Sequence, residues 1–432
     1  MPPGAASSAR PVSGANKPSF VFILADDLGY ADLGCYGGRS NCSPNLDRMA
    51  AGGVRFTDGY ANSPVCSPTR FALATGRWQY RLRGGADEPI ASRNRGSDVL
   101  GLAAGHPTVA SLLRDASYAT ALVGKWHLGF APHFGPLKSG YQEFFGPMSG
   151  GVDYFTHCDS SGVHDLYQGE KEVHRKGYLT DLLTEEAIAF VRRARGKPFL
   201  LSLHYTAPHW PWETRADEEE STQLGGRISH FDGGSVQIYR EMIRAMDEGI
   251  GLLLRELDER TIVVFTSDNG GERYSDSWPL VGGKMDLLEG GIRVPYIVRW
   301  PGNRVAAQLA ITMDWVATFL DAADVAAHPD YPLDGRSLLK PQQNRELFWR
   351  MKYRAQKAMR SGTWKWLSIE GNEFLFDLSR DARERANLAA RQPGTFAELK
   401  KRYAAWDDSL PPIPDDAKVS VMGGPADLAR PS

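Results

Sequence analysis

A lone cysteine lies in a segment whose pattern is unusual for a structural thiol. Cys66 occurs in PVCSPTRFALATGR, residues 64–77, and Arg70 follows it four positions later. A zinc ligand would have a second cysteine or histidine two to four residues away, and Cys66 has none. The spacing to Arg70 is too short for the Cys-x5-Arg loop of thiol phosphatases. Chemistry by the thiol itself is therefore disfavoured, and we predict that Cys66 lies in a polar, proline-containing loop.

Acidic and amide side chains follow two predicted strands. Asp26 and Asp27 come just after the apolar run FVFIL, and Asp268 and Asn269 come just after TIVVFT. Alone, each pair could be a helix cap or a turn. In open α/β sheets, however, ligands bind at the carboxyl ends of the strands, and hard oxygen donors suit Ca²⁺ or Mg²⁺ rather than zinc. The common position of the four residues favours a metal site.

Basic side chains and histidines follow other predicted strand ends. Lys125 and His127 follow one strand, His209 follows another, and Lys284 comes after two glycines. A lone histidine is usually structural and a lone lysine is usually solvated. Near a metal, the two histidines are better interpreted as acid and base, because histidine titrates near neutral pH. Two lysines and Arg70 beside a divalent ion would form a pocket for a compact oxyanion.

Alternating strands and helices must position these groups. Buried apolar runs alternate with amphipathic helical patterns, which predicts an α/β fold with helices on both faces of a sheet. After about residue 335 the pattern changes to short strands and one amphipathic helix, which indicates a small antiparallel sheet. We predict a disordered leader at residues 1–17, a catalytic α/β domain at 18–334, and a C-terminal α+β subdomain with an extended tail at 335–432.

The composition excludes several classes of protein. The 432 residues include 50 Lys plus Arg and 52 Asp plus Glu, so neither nucleic acid nor an anionic membrane is an expected partner. No apolar run approaches the ~20 residues of a membrane span. The first residues lack the apolar core of a signal peptide, which predicts a cytoplasmic protein, or a periplasmic or secreted one if a signal was removed. Four cysteines are too few for a disulfide scaffold; free thiols are favoured, although Cys35 and Cys42 could close a small loop.

Several of these segments together resemble the type I, formylglycine-dependent sulfatases of the alkaline phosphatase superfamily, including the arylsulfatases. VCSPTRFALATGR is similar to the first family signature, Cys-x-Pro-x-Arg followed by Thr-Gly-Arg, and SYATALVGKWHLG is similar to the second. ADDLG, APHWP, SDNGG and GGKMDLLEGGIRVPYIVRWPG resemble the other family blocks, in the family's order. The resemblance covers residues 18–410. Ala74 and Ser117 depart from the pattern, since the family prefers a larger apolar residue and a glycine there.

The resemblance implies a large mixed, mostly parallel sheet of the alkaline-phosphatase type and hydrolysis of sulfate esters. It implies that a formylglycine-generating enzyme oxidises Cys66 to an aldehyde, whose hydrate attacks sulfur beside a divalent ion, Ca²⁺ or Mg²⁺. The ion would be held by Asp26, Asp27, Asp268 and Asn269. Such covalent catalysis divides one difficult step into two.

The resemblance also implies a role for each remaining site residue. Arg70 would orient the formylglycine, while Lys125, Lys284 and His209 would bind sulfate oxygens. His209 or Lys284 would protonate the departing alcohol. His127 would take a proton from the second hydroxyl and so release sulfate.

Two other functions and the nature of the substrate stay open at this point. A phosphonate or phosphate ester hydrolase of the same superfamily could use this pocket, and an unconverted Cys66 would leave a non-catalytic binder of sulfate esters. Specificity is expected from residues 78–96, which are rich in arginine, and from residues 150–171. In the second segment His157, Asp159 and His164 could contact sugar hydroxyls, or the segment could pack on itself. Aryl, steroid and sugar sulfates are all compatible with the sequence, as is any oligomeric state.

Overall fold

The computed structural model describes residues 17–225, 228, 233–300, 308–340 and 345–420. The predicted leader therefore lies outside the described residues except for Lys17, and so does the end of the predicted tail. The helices in the described part are α1 Pro44–Gly52, α2 Cys66–Thr75, α3 Val109–Asp115, α4 Leu179–Arg193, α5 Glu218–Leu224, α6 Val236–Glu256, α7 Glu289–Ile292, α8 Asp314–Ala323 and α9 Pro393–Asp408. The strands are β1 Phe20–Ala25, β2 Val54–Phe56, β3 Gly59–Tyr60, β4 Ala119–Gly124, β5 Glu143–Gly146, β6 Tyr167–Gln168, β7 Lys171–Glu172, β8 Phe199–His204, β9 Ile262–Ser267, β10 Tyr296–Arg299, β11 Ala310–Ile311, β12 Glu346–Arg350, β13 Lys357–Ser361, β14 Trp364–Ile369 and β15 Asn372–Asp377.

The larger sheet confirms the predicted α/β architecture. Its nine strands run in the order β2-β10-β9-β1-β8-β4-β5-β6-β7. The central strands β9, β1, β8 and β4 are all parallel, and the outer strands β10, β2, β6 and β7 pair antiparallel. Leu24 pairs with both Thr266 and His204, and Gly124 also pairs with His204. Four parallel strands therefore end at the same level.

Both faces of this sheet are buried, which explains the unbroken apolar runs. In β1, Val21 and Ile23 pack in one core cluster while Phe20, Phe22 and Leu24 pack in the other. Helices α1, α4 and α6 cover the first face, and α3 and α8 cover the second. The sheet is thus fixed on both sides, and its carboxyl edge is a rigid platform.

Two tight backbone positions bear on the motif around β4. Gly124 has φ 112°, and a Cβ there would lie 1.8 Å from the carbonyl oxygen of His204, so only glycine fits. Ser117 has φ 72°. The left-handed conformation favours glycine, which gives a physical reason why the resembled family prefers glycine at this position.

A second, smaller sheet follows in the chain, as predicted. Strands β12 to β15 form an antiparallel sheet in sequential order, and α9 packs on it through Leu399 and Tyr403 against Trp366. A domain boundary near residue 335 stays a prediction.

A buried ionic cluster holds the small sheet against the rest of the molecule. Lys365 of β14 is fully buried, and its Nζ lies 2.9 Å from Oε1 of Glu289 and 2.8 Å from Oε1 of Glu384. Glu289 also accepts a hydrogen bond from Tyr60 at 2.6 Å, and Arg360 of β13 donates to the same hydroxyl. Residues 284–287 form a turn, called the Lys284 turn below, and α7 begins two residues later at Glu289. The ionic cluster therefore joins the small sheet to the segment that follows this turn.

All four cysteines are free thiols, as expected. In the part of the chain that the structure describes, no helix has the length and apolar character needed to cross a membrane.

Replacing Lys365 with methionine should destabilise the protein strongly. In the described part of the chain, the change leaves the buried Glu384 carboxylate without its cation and leaves Glu289 with Arg293 alone as an ion-pair partner, and breaking a buried pair in this way costs about 3–5 kcal/mol. Lys400→Met is the matched control, because Lys400 pairs with Glu373 on the surface of the same subdomain, and such pairs contribute about 0–1 kcal/mol. Urea unfolding of both variants measures the difference; equal losses would show that the cluster does not hold the sheet.

Candidate active site

The carboxyl edge of the large sheet brings together the predicted site residues. Asp26 and Asp27 follow β1, and Asp268 and Asn269 follow β9. Lys125 and His127 follow β4, and His209 follows β8 by a short turn. Oxygen atoms of Asp26, Asp27 and Asp268 all lie within 4.8 Å of one another. The strand ends therefore converge in space.

Three cations balance the three carboxylates. Lys125 Nζ lies 2.6 Å from Asp26 Oδ2, and Lys284 Nζ lies 2.6 Å from Asp27 Oδ2. Arg70 donates through Nε and Nη2 to Asp268 Oδ2 at 3.0 and 2.8 Å. These charge-assisted bonds offset the free-energy cost of burying three carboxylates. These six side chains carry no formal net charge, and a fourth carboxylate, Glu272, lies 3.8 Å from Lys284 Nζ with its pKa raised to about 7 by burial.

The pKa values of the acidic groups differ because their surroundings differ. Burial raises the pKa of Asp27, but the charges of Lys284, His209 and Lys125 outweigh it and hold that pKa well below its usual value. Burial and the neighbouring Asp26 raise the pKa of Asp268 to about 7. The ionised form of Asp268 is thus destabilised by its surroundings, and a further positive charge nearby would stabilise it.

Asn269 supplies an oxygen that no described residue satisfies. Its Nδ2 donates to Asp27 Oδ1 at 2.7 Å, which turns Oδ1 of the amide the other way. That Oδ1 is buried and has no hydrogen-bond partner in the described part of the chain, and the same is true of Asp26 Oδ1. Unsatisfied hard oxygens beside crowded carboxylates fit a divalent cation.

Cys66 lies inside this cluster, but not in a loop as the sequence predicted. It is the first residue of α2, is 1% exposed, and has its Sγ within 4.8 Å of ligand atoms of Asp26 and His209. All residues of the helix, which extends to Thr75, are buried against other elements. Pro64 precedes the helix and Pro68 lies in its first turn, where proline is tolerated. Burial raises the pKa of the thiol to about 12. The unmodified group is therefore a neutral thiol and a poor nucleophile.

His127 has one free ring nitrogen. Its Nε2 donates to the carbonyl oxygen of Ile90 at 2.7 Å, while Nδ1 is buried without a partner among the described residues. Burial, with the charge of Lys125, holds the pKa of His127 well below its usual value. The residue has φ 58°, a strained conformation of the kind found at functional sites. A neutral imidazole with an open Nδ1 is suited to accept a proton.

His209 is oriented the opposite way. Its Nδ1 donates to the carbonyl oxygen of Trp210 at 2.6 Å, and its Nε2 lies 3.6 Å from Asp27 Oδ2. Burial and the charge of Lys284 lower the pKa of His209 to about 3. Nε2 is thus the atom that the site can use.

The contacts of three residues near the site were not predicted from the sequence, although Gly150 and Gly151 begin the second expected specificity segment. A Cβ on Gly150 would lie 2.5 Å from His127 Cε1, and one on Gly151 would lie 3.0 Å from His209 Cε1, so this loop packs directly on both rings. Buried Gln356, in the connection between β12 and β13, hydrogen-bonds the turn that carries Lys284. The double glycine was a weak local signal, whereas nothing near Gln356 in sequence indicates its contact.

Most arginines of the first expected specificity segment make internal ion pairs. Arg81 binds Asp334 at 2.8 Å, Arg83 binds Asp87 at 2.7 Å, and Arg95 binds Asp159 at 2.6 Å. These three arginines are therefore paired with carboxylates of the molecule itself.

The second segment packs on itself. His157 and Asp159 are buried, at 1% and 0% exposure, and His164 contacts the carbonyl oxygens of Thr156 and Val173. Of the two interpretations of this segment, the structure therefore favours internal packing over contact with sugar hydroxyls.

A family model decides the identity. The model described as Sulfatase matches residues 18–325, which is most of the chain. This chain belongs to the sulfatase family. The match includes both signature segments and all of the strand ends described above.

Individual relatives agree with this assignment. Human N-acetylgalactosamine-6-sulfatase is 34% identical over 359 residues, an alignment that covers 76% of this chain and 66% of the human protein. This chain thus spans just under two thirds of the length of that relative.

Solved structures give the same fold. Ps i-CgsB, solved in complex with k-i-k-neocarrahexaose, has a TM-score of 0.80 and 29% identity, over 90% of this chain and 93% of that one. Phosphonate monoester hydrolase of Agrobacterium radiobacter has a TM-score of 0.63 at 20% identity, over 91% and 96% of the two chains. This second likeness shows the fold alone, as an alkaline-phosphatase-like sheet.

Adding a divalent cation to this sulfatase-family chain should stabilise it against heat. An ion that binds only the folded state adds about 2.7 kcal/mol at a free concentration of about 100 times its dissociation constant. Asn269→Leu should remove most of this response, because Oδ1 is lost at the centre of the cluster. Thermal unfolding with and without Ca²⁺, Mg²⁺ or Zn²⁺ measures the shift.

The control for this test is Glu172→Gln. Glu172 belongs to a separate, more exposed group with His164 and His174, so its substitution should leave the response intact. A response lost in Glu172→Gln and kept in Asn269→Leu would place the ion elsewhere, and a preference for zinc with sulfur ligation would contradict the oxygen site.

Proposed function

We propose that the protein is a sulfatase that hydrolyses sulfate esters to an alcohol and inorganic sulfate. The observation that carries this proposal is the charge balance of the site. Asp26, Asp27 and Asp268 are matched by three cations, Arg70, Lys125 and Lys284. A divalent ion added to these six side chains gives an excess of two positive charges, which exceeds the single negative charge of an ionised Glu272 beside Lys284 and suits a compact oxyanion.

The donor set fits a resident Ca²⁺ or Mg²⁺ held by Asp26, Asp27, Asp268 and Asn269. The open oxygen atoms of Asp26 and Asn269 support this assignment. Such an ion, when bound, polarises a sulfate oxygen and lowers the pKa of a neighbouring hydroxyl.

Position 66 fits an oxidised residue better than a thiol. Sulfur is a soft ligand that matches hard cations poorly, and the thiol of Cys66 is held neutral by burial. Formylglycine, formed at this position by a formylglycine-generating enzyme, would supply in its hydrate two hydroxyls, one for attack on sulfur and one for release of sulfate. Arg70, one helical turn further along α2, would orient it.

Lys125, Lys284 and His209 surround the place where a sulfate group would lie. Lys125 and Lys284 reach the acidic cluster from opposite carboxylates, Asp26 and Asp27. His209 presents Nε2, because Nδ1 is engaged by Trp210. Negative charge brought by a bound ester would raise the pKa of His209, so that Nε2 could carry the proton needed by the departing alcohol. Lys284 is the alternative donor.

His127 has the geometry of a base for the second half of the reaction. Its Nε2–H is fixed on the Ile90 carbonyl and its Nδ1 is free. Sulfate bound to residue 66 would bring negative charge that raises the low pKa of His127, so that Nδ1 could then accept a proton and return it to water afterwards. His127 would therefore act after sulfur transfer, and His209 before it.

A sulfated carbohydrate is the substrate class we propose. The names of the similar proteins above refer to an N-acetylgalactosamine sulfatase and to a complex with an oligosaccharide. An aryl sulfate remains the practical assay substrate. The competing function is hydrolysis of phosphonate or phosphate esters, because the same pocket would accept a tetrahedral phosphorus centre.

Cys66→Ala should abolish turnover of a sulfate ester while the protein stays folded. The change removes a single sulfur atom from the first turn of α2, so the helix and the ionic cluster are kept. Release of 4-nitrophenol from its sulfate ester measures turnover, and circular dichroism measures folding. Mass spectrometry of the peptide that bears residue 66 in the parent protein distinguishes aldehyde from thiol.

Two outcomes would contradict this function. Retention of more than trace turnover by Cys66→Ala would remove residue 66 as nucleophile. Faster hydrolysis of a phosphonate monoester than of any sulfate ester by the aldehyde form would favour the alternative function. A parent protein that carries only the thiol would be a binder as isolated.

The two histidines should fail at different steps. His127→Ala should release one equivalent of alcohol in a burst and then stall with sulfate on residue 66, because only the second step needs its base. His209→Ala should slow the first step, by about 10²–10⁴-fold for a basic leaving group and little for nitrophenolate. Rapid-quench kinetics with esters of graded leaving-group pKa measure both effects.

Lys284→Ala is the comparison variant for this series. If its loss grows with leaving-group basicity and that of His209→Ala does not, the proton comes from Lys284. Equal defects of both histidine variants on every ester, with no trapped intermediate, would show that the roles are assigned wrongly.

A further inference from the structure

Gln356 forms two hydrogen bonds with the backbone of the turn that carries Lys284. Its Nε2 donates to the carbonyl oxygen of Met285 at 2.8 Å, and its Oε1 accepts from the backbone N–H of Leu287 at 2.9 Å. The side chain is fully buried. One amide thus satisfies both a donor and an acceptor of the same turn, so the turn is fixed in position and in rotation.

This turn has little other freedom. Met285 has φ 75°, a strained conformation for a residue with a side chain. Its N–H donates to the carbonyl oxygen of Pro64, two residues before Cys66, at 3.0 Å. Lys284 N–H donates to the carbonyl oxygen of Gly271 at 3.0 Å. A strained turn persists only where its surroundings hold it, and Gln356 supplies two of those bonds.

The segment that presents Gln356 is itself anchored near the other side of the site. The backbone N–H groups of Lys352 and Tyr353 donate to the Glu88 carboxylate at 2.7 and 3.0 Å. Glu88 lies two residues before Ile90, whose carbonyl accepts the bond from His127. The connection between β12 and β13 therefore bonds both the turn that carries Lys284 and the segment that carries Ile90, the hydrogen-bond partner of His127.

We propose that Gln356 is a positioning residue for Lys284, so that the C-terminal sheet is a working part of the catalytic centre. The ammonium of Lys284 must lie 2.6 Å from Asp27 Oδ2 to take part in the anion pocket, and a displacement of about 1 Å at a reacting group can reduce a rate by about 100-fold. Gln356 makes no contact with a substrate in this proposal. The inference rests on the role proposed above for Lys284.

The test is a double-mutant cycle with Lys284. Gln356→Met keeps the length of the side chain but loses both hydrogen bonds, and kcat/KM for 4-nitrophenyl sulfate should fall by about 10- to 100-fold. In a Lys284→Ala background the same change should cost less than about threefold, because the group that it positions is gone. A merely structural role would give the same loss in both backgrounds and overturns the inference.

The control for damage to the small sheet is Asn387→Leu, at a residue that is exposed whereas Gln356 is buried. Asn387 is another amide of the C-terminal part that bonds the backbone on both sides, to Leu375 N and Glu373 O, but outside the Lys284 turn. Its substitution should leave kcat/KM within about twofold of the parent, as expected for independent sites. A loss in Asn387→Leu equal to that in Gln356→Met would show that any damage to this sheet has the same effect, and would overturn the inference.

Further comparisons distinguish a wrong positioning role for Gln356 from poorly folded protein and from a wrong role for Lys284. All variants are compared at equal aldehyde content of residue 66. If Gln356→Met is insoluble, Gln356→Glu, which keeps the acceptor for Leu287, should still lose activity in the parent and not in Lys284→Ala. Full activity of Lys284→Ala would contradict the proposed role of Lys284, whereas an inactive Lys284→Ala with a fully active Gln356→Met overturns the positioning role alone.

Discussion

The ionic cluster at the carboxyl edge of the sheet is the constraint on which the rest of the site depends. Three carboxylates whose oxygens lie within 4.8 Å of one another would repel strongly in a buried place. They are held by Arg70 of α2, which pairs with Asp268 and also lies 3.6 Å from Asp26, by Lys125 just after β4, and by Lys284. Since those cations come from segments far apart in the chain, the cluster can form only after the whole domain has folded.

The same cluster explains why the groups around it are so restricted. Asp27 and His127 both have positive φ values, of 63° and 58°, at the points where the chain leaves the sheet. Gly124 must be glycine because the next strand passes too close for a Cβ. Strain and close approach are concentrated where side chains from different strands must meet, as at other functional sites.

The C-terminal sheet is tied to this centre by buried polar contacts. Lys365 reaches Glu289 across the interface, and Gln356 reaches the backbone on either side of Asp286. Buried polar groups are costly unless every partner is present, so the two parts cannot shift independently. The C-terminal sheet therefore supports the side of the site that contains Lys284.

The amino-acid sequence alone was sufficient for the central strands of the large sheet, for the small antiparallel sheet and for the family. Apolar runs that end in Asp26-Asp27 and Asp268-Asn269 are local patterns, and parallel strands must present their ends at one edge, so the position of the site could also be predicted. The motif around Cys66 indicated its chemistry, but its proline and polar residues were misleading about its structure. The segment is the first turn of a helix because its side chains are buried by other elements, which no local pattern records.

Only the tertiary structure decided the contacts between distant residues. Which ring nitrogen of His127 and His209 is free depends on the carbonyl groups of Ile90 and Trp210, and only the fold puts Ile90 beside His127. The sequence around Arg81 and Arg95 does not indicate that their side chains form ion pairs. Their partners, Asp334 and Asp159, lie far away in the chain and meet them only in the folded structure. Gln356 lies 72 positions after Lys284 in the chain and has no neighbouring motif. A sequence specifies periodicity and local chemistry over a few residues, whereas hydrogen bonds between remote segments exist only once packing has brought those segments together.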